Sequence, residues 1–173
     1  MIPLPYLAHY PLELQQQVQR LIAEKRLGQW LRQQRWPAHQ VGSDAALRDY
    51  VLALKKQYMK QSSPISKIQY DGKLHVVHGA LGTHTTLRRV QGSKLKRKHE
   101  IRIAALFKQA PEPLLRMIAV HELAHLKEPQ HDKAFYALCQ HMLPAYHQLE
   151  WATRLWLTER ELHGCPFNVP LST

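Results

Sequence analysis

The pentad His121-Glu122-Leu123-Ala124-His125 constrains the chain more than any other segment. It follows Pro111-Glu112-Pro113, where proline suits only the first turn of a helix, and it ends before Pro129. Between these limits Leu115, Ile118, Ala119, Leu123 and Leu126 recur at helical spacing. A helix is therefore predicted from Pro111 to just before Pro129. Two histidines four apart on it differ by only about 40° around the axis, so both rings leave one face.

That pairing is a chemical signature. Zinc takes neutral imidazole nitrogens at about 2.0–2.1 Å in tetrahedral geometry, and one helical turn offers two of them together. Glu122 lies near the same face but offset, suited to a water held by the ion rather than to the ion itself. With 12 histidines and 9 glutamates in 173 residues, the pattern arises by chance roughly 0.04 times per chain. The alternative is a surface histidine pair on an amphipathic helix. A catalytic zinc site also wants a third protein ligand and one open position. His131, six residues after His125 and beyond the Pro129 turn, is one candidate, and Glu150 on the last predicted helix is another. His141 and His147 read better as polar-face residues.

The remainder of the chain reads as α+β. Leu14, Val18, Leu21 and Ile22 share a helical face in a stretch from Pro11 to about Trp36, limited by Gly28 and Pro37. Ser43 or Asp44 can cap a second helix carrying Leu47, Tyr50, Val51, Leu54 and Tyr58, which ends at Ser62-Ser63-Pro64. The period then becomes two. Ile68 and Tyr70 alternate with polar residues, Asp71-Gly72 signals a two-residue turn, and Leu74 and Val76 alternate beyond it. A further strand is predicted at 84–90, a loop at 91–99, and another strand at 100–105. Helices from about Asp132 to Met142 and from about Ala145 to Leu162 follow, separated by Pro144, and 165–173 reads as irregular. The expected architecture is a single domain over 1–173: N-terminal helices at about 11–62, then a catalytic segment at about 66–162. That segment holds a mixed or antiparallel sheet of three or four strands, the metal helix and two C-terminal helices.

Charge and length narrow the function classes. There are 24 Lys+Arg against 13 Asp+Glu, a net charge of +11, which favours anionic partners such as nucleotides or nucleic acid. Arg88, Arg89, Lys94, Lys96, Arg97, Lys98 and Arg102 put seven positive charges within fifteen positions. Arg89, Lys94, Lys96 and Arg97 are candidate substrate contacts, with a solvated basic loop as the alternative. No stretch reaches the ~20 apolar residues of a membrane span. The first ten residues lack the layout of a secretory signal, and two cysteines cannot make a disulfide framework, so a cytoplasmic location is expected. Trp151 and Trp156 read as packing residues, Cys139 as buried, and Tyr146 as a structural residue or an oxyanion donor.

The run from His121 through His131 to Phe135 and Tyr136 resembles the YgjP-like metallopeptidase domain family. So do Tyr70-Asp-Gly-Lys-Leu-His-Val, Arg89-Val-Gln-Gly-Ser-Lys-Leu-Lys, Ala110-Pro-Glu-Pro and the segment from Tyr146 to Trp156. The resemblance implies a zincin-like fold with His121, His125 and His131 as ligands of one Zn2+ or other divalent ion, and Glu122 as general acid/base. Many relatives carry Trp-Gly-Ser-Cys where this chain has Gln91-Gly92-Ser93-Lys94, so substrate choice can differ. Members are also labelled UTP pyrophosphatases. Three functions are therefore carried forward: a zinc metallopeptidase first, a UTP pyrophosphatase giving UMP and diphosphate second, and a nucleic-acid-associated module with a structural metal third.

Overall fold

The computed structural model describes residues 1–74, 82–91 and 94–167, without the side chains of 82–91 and 94–97. Its helices are α1 (Leu12–Ala23), α2 (Leu27–Gln33), α3 (Asp44–Tyr58), α4 (Glu112–Ala124), α5 (Lys133–Met142) and α6 (Tyr146–His163). Its strands are β1 (Ile65–Asp71), β2 (Gly82–Gln91) and β3 (Lys94–Ala104). The class is α+β, as the pattern of periods predicts. No helix among the described residues is long and apolar enough to cross a membrane.

Helix α4 is the axis of the molecule. Leu114, Leu115, Met117, Ile118, Ala119, Val120, Leu123 and Ala124 are all fully buried. The side bearing Glu112 and the exposed Arg116 meets water, and the apolar remainder of the helix has to be covered. The sheet, α5 and α6 supply that cover. On α6 the buried set is Ala152, Leu155, Trp156 and Leu157, with Trp156 against Phe107 at 5.4 Å between ring centroids. Two buried threonines on this helix return their hydroxyls to its own backbone, Thr153 to the Leu149 carbonyl and Thr158 to that of Arg154. Neither leaves an unsatisfied donor in the core.

The sheet has three strands in the order β1-β3-β2. β1 runs parallel to β3, with Ile68 opposite Ile101 and Tyr70 opposite Ile103. These four side chains are buried on one face. β2 and β3 form an antiparallel hairpin in which Gln91 lies opposite Lys94. That register corrects the loop predicted at 91–99, because Gln91 belongs to β2 and residues 94–99 belong to β3, the first five of them reading Lys-Leu-Lys-Arg-Lys. Five residues with four basic side chains have poor strand propensity, and pairing with β2 overrides it. The far side of the turn predicted at Asp71-Gly72 reaches Val76, outside the described residues.

The N-terminal helix predicted as one unit is two. Glu24 ends α1, Lys25 takes a left-handed backbone at φ 56°, and Arg26 donates its N–H to the Leu21 carbonyl. The break turns Leu27 and Leu31 inward, where both are buried. It also brings Gly28 against α6: a Cβ there would stand 2.5 Å from Glu159 Oε1. Helix α3 follows its signals closely. Ser43 Oγ accepts from the Ala46 N–H at 3.1 Å, and Asp44 Oδ1 accepts from the Tyr70 N–H at 2.8 Å, tying α3 to β1.

Candidate metal centre

The last turn of α4 presents His121, and His125 stands at the helix C-cap with φ −64° and ψ −13°. The chain then turns through Pro129, and Asp132 caps α5 by accepting from the Phe135 N–H at 3.0 Å. This short detour delivers His131. Its Nε2 lies 3.2 Å from Nε2 of His121 and 3.0 Å from Nε2 of His125. One ligand atom from each ring falls within 4.8 Å of the others. Two nitrogens bound to one tetrahedral ion at 2.0–2.1 Å are separated by about 3.3 Å, so the three rings fit a shared cation without rearrangement.

Proton bookkeeping supports the same fit. His125 Nδ1 is 3.0 Å from the Glu128 carbonyl oxygen. A carbonyl only accepts, so Nδ1 carries the hydrogen and a neutral His125 keeps its Nε2 lone pair inward. His131 Nε2 meets two nitrogens at once, and a single N–H cannot point at both. A cation satisfies all of them. The other side of His121 meets the Tyr146 hydroxyl, 2.7 Å from Nδ1.

Phe135 underlies the cluster. Its ring centroid is 4.9 Å from His121, 4.6 Å from His125 and 4.9 Å from His131. This apolar floor limits where the three imidazoles can swing. His121 is pushed down to about 3, first by burial, then by the neighbouring His125, His131 and Arg154 charges, so it stays neutral and available as a donor at physiological pH. Glu122, 1% exposed, is pushed up to about 8 by burial. That lies close to neutrality, where one carboxyl can both take and return a proton.

The remaining candidates fall as follows. Glu150 is not in the histidine group; its Oε1 pairs with Arg154 Nη2 at 3.3 Å. His141 packs against Tyr58 and His147 against Tyr136. Tyr146 is fully buried, and its hydroxyl touches His121 on the face of the ring away from Nε2. That position does not suit an oxyanion donor. Trp156 is core and Trp151 packs on Tyr10 at 4.6 Å. Cys139 is buried and Cys165 exposed. Arg89, Lys94, Lys96 and Arg97 lie on the β2–β3 hairpin, with Arg89 opposite Lys96, Arg88 opposite Arg97 and Gln91 opposite Lys94. Their side chains lie outside what is described.

Sequence reasoning did not assign Phe135 as the floor of the cluster, nor the Glu128 carbonyl as the partner of His125. The first carries a signal, an aromatic four residues after His131 on the inward face of α5. The second has none, because a backbone carbonyl leaves no mark on composition.

Comparison with known proteins agrees with this geometry. A protein of Escherichia coli (strain K12) named UTP pyrophosphatase is 55% identical over 159 residues, covering 92% of this chain and 95% of the relative. No solved structure is significantly similar. The family described as YgjP-like, metallopeptidase domain matches residues 8–155. Both likenesses are to hydrolases. This chain is a hydrolase belonging to the YgjP-like metallopeptidase domain family.

Proposed function

We propose that the chain is a zinc-dependent hydrolase that splits UTP, or a similar nucleoside triphosphate, into the monophosphate and diphosphate. The convergence of His121, His125 and His131 through their Nε2 atoms carries the metal-dependent part of this reading. The substrate class draws on the 55% identical relative and its name. This reverses the order in which the sequence alone ranks peptide and nucleotide.

His121, His125 and His131 would hold one ion per chain, leaving a coordination position open. Zinc bound there supplies Lewis acidity and acidifies a water molecule. Glu122 takes the water proton on a carboxylate oxygen as the new bond to the α-phosphorus forms. The bond from that phosphorus to the bridging oxygen breaks, and the diphosphate departs with the electron pair. Glu122 then returns its proton to the departing group or to solvent. Glu122 suits both transfers because burial places it near 8.

The hairpin supports an anionic substrate. Its register sets Arg88 opposite Arg97 and Arg89 opposite Lys96, and like charges directly opposite destabilise a ladder. Successive pairs in a ladder belong to opposite faces, so a triphosphate, with three or four negative groups, would offset the charge of one such pair.

A second reading, a peptide substrate, has its own observation. β2 is an edge strand beside α4, and an extended peptide can pair with such an edge. One experiment separates the readings. Protein stripped with chelator and reloaded with Zn2+ is incubated with UTP and, separately, with casein. Equal amounts of UMP and diphosphate are expected. UDP with phosphate, or casein fragments with intact UTP, overturns the nucleotide reading. Full zinc occupancy with neither substrate cleaved favours the nucleic-acid module, whose affinity falls steeply with salt.

A further inference from the structure

We infer that Tyr146 is a positioning residue for the metal centre, its hydroxyl selecting the imidazole tautomer in which His121 can bind an ion. This rests on reading the three histidines as a metal site. The residue opens α6, far in sequence from the α4 pentad, yet its hydroxyl lies 2.7 Å from His121 Nδ1. The two rings are nearly parallel, 18° apart at a centroid distance of 6.3 Å. Tyr146 is fully buried, so water does not compete for that hydrogen bond.

The chemistry differs from that at His125. There the partner is the Glu128 carbonyl, which can only accept and so leaves a neutral His125 one tautomer. A tyrosine hydroxyl can donate or accept. When it donates to Nδ1, the ring hydrogen sits on Nε2 and points at His131 Nε2, 3.2 Å away; His121 is then no ligand. When it accepts from Nδ1–H, the Nε2 lone pair faces the cluster. A cation at Nε2 requires the second arrangement, and Tyr146 is the group that receives the hydrogen. Partners of this kind typically govern metal affinity by 10–100-fold.

The test is zinc affinity, read by competition with a chromophoric chelator rather than by turnover. Tyr146→Phe keeps the buried ring and removes the hydroxyl, and its zinc affinity should fall about 10–100-fold. Tyr50→Phe is the control. It removes a hydroxyl that donates to Glu112 Oε1 at 2.7 Å, a comparable bond between α3 and α4, and should leave zinc affinity within about twofold of wild type. Equal weakening in both variants, or a Tyr146→Phe affinity within about threefold of wild type, overturns the assignment. A second measurement needs no variant. Long-range 1H–15N spectra of the zinc-loaded wild type should show His121 protonated at Nδ1 with that hydrogen protected from exchange. An Nε2–H tautomer there also overturns it. A wild type that takes up no zinc removes the metal reading itself, a different failure.

Discussion

His131 Nε2 approaches His125 Nε2 to 3.0 Å, although the chain between them leaves α4, turns at Pro129 and has not yet entered α5. His131 is exposed, its ring resting on Phe135, and the short approach suits convergence on a common ion. His131→Ala should therefore lower zinc content from about one ion per chain to well below one after dialysis. Glu150→Ala should keep the ion. It breaks the pair with Arg154 Nη2, both side chains being under 15% exposed, and should cost about 1–3 kcal/mol of stability. Elemental analysis and urea unfolding of the two variants check both halves.

On the proposed mechanism Glu122 would link activity to stability. In the folded, metal-free protein its carboxyl holds a proton up to about 8, against an ordinary 4.5. Between those values the folded state binds the extra proton, so metal-free stability falls as pH rises from 4.5 through 8. Glu122→Gln removes that slope. Stripped of metal, it should exceed wild type at pH 8 by on the order of a few kcal/mol and match it near pH 4.5. Urea unfolding at the two pH values reads the difference. The same variant should keep zinc and lose about 10²–10⁴ in kcat.

Phe135 touches all three imidazoles and is itself fully buried. Phe135→Ala should destabilise the fold by about 3–5 kcal/mol through the cavity it leaves. Phe135→Leu keeps most of the volume and should cost less. Comparing the two by thermal unfolding and zinc titration separates lost packing from lost support of the rings.

Gly28 is held to hydrogen by its neighbour across the helix pair. A methyl group there meets Glu159 Oε1 at 2.5 Å and Cδ at 3.2 Å, and His163 holds the other carboxylate oxygen at 3.1 Å. Alanine normally gains about 1 kcal/mol over glycine inside a helix. Here the clash should outweigh that gain, with a net loss of about 1–3 kcal/mol. The melting temperature of Gly28→Ala should fall, and combining it with Glu159→Ala should recover part of the loss.

What the chain disclosed in advance follows a physical division. The α4 pentad, the Ser43 cap and the Pro144 break are local, written in residues that act within one turn, and the structure keeps each of them. Choosing His131 over Glu150 from spacing alone was open, because the path after Pro129 depends on how α5 docks. The strand at 94–98 was hidden by its own basic composition and exists through its partner β2. The split between α1 and α2 was equally hidden: Lys25 has no turn signature, and the break answers to what α6 leaves free beside Gly28.

Two of the three imidazoles belong to α4 and its cap, whereas the third arrives from the linker ahead of α5. An ion shared by them is therefore also a clasp, fastening a surface loop to the central helix. Starved of metal, the chain would keep its core yet leave the stretch around Pro129 more open to cutting, a difference that limited proteolysis with and without added metal would read.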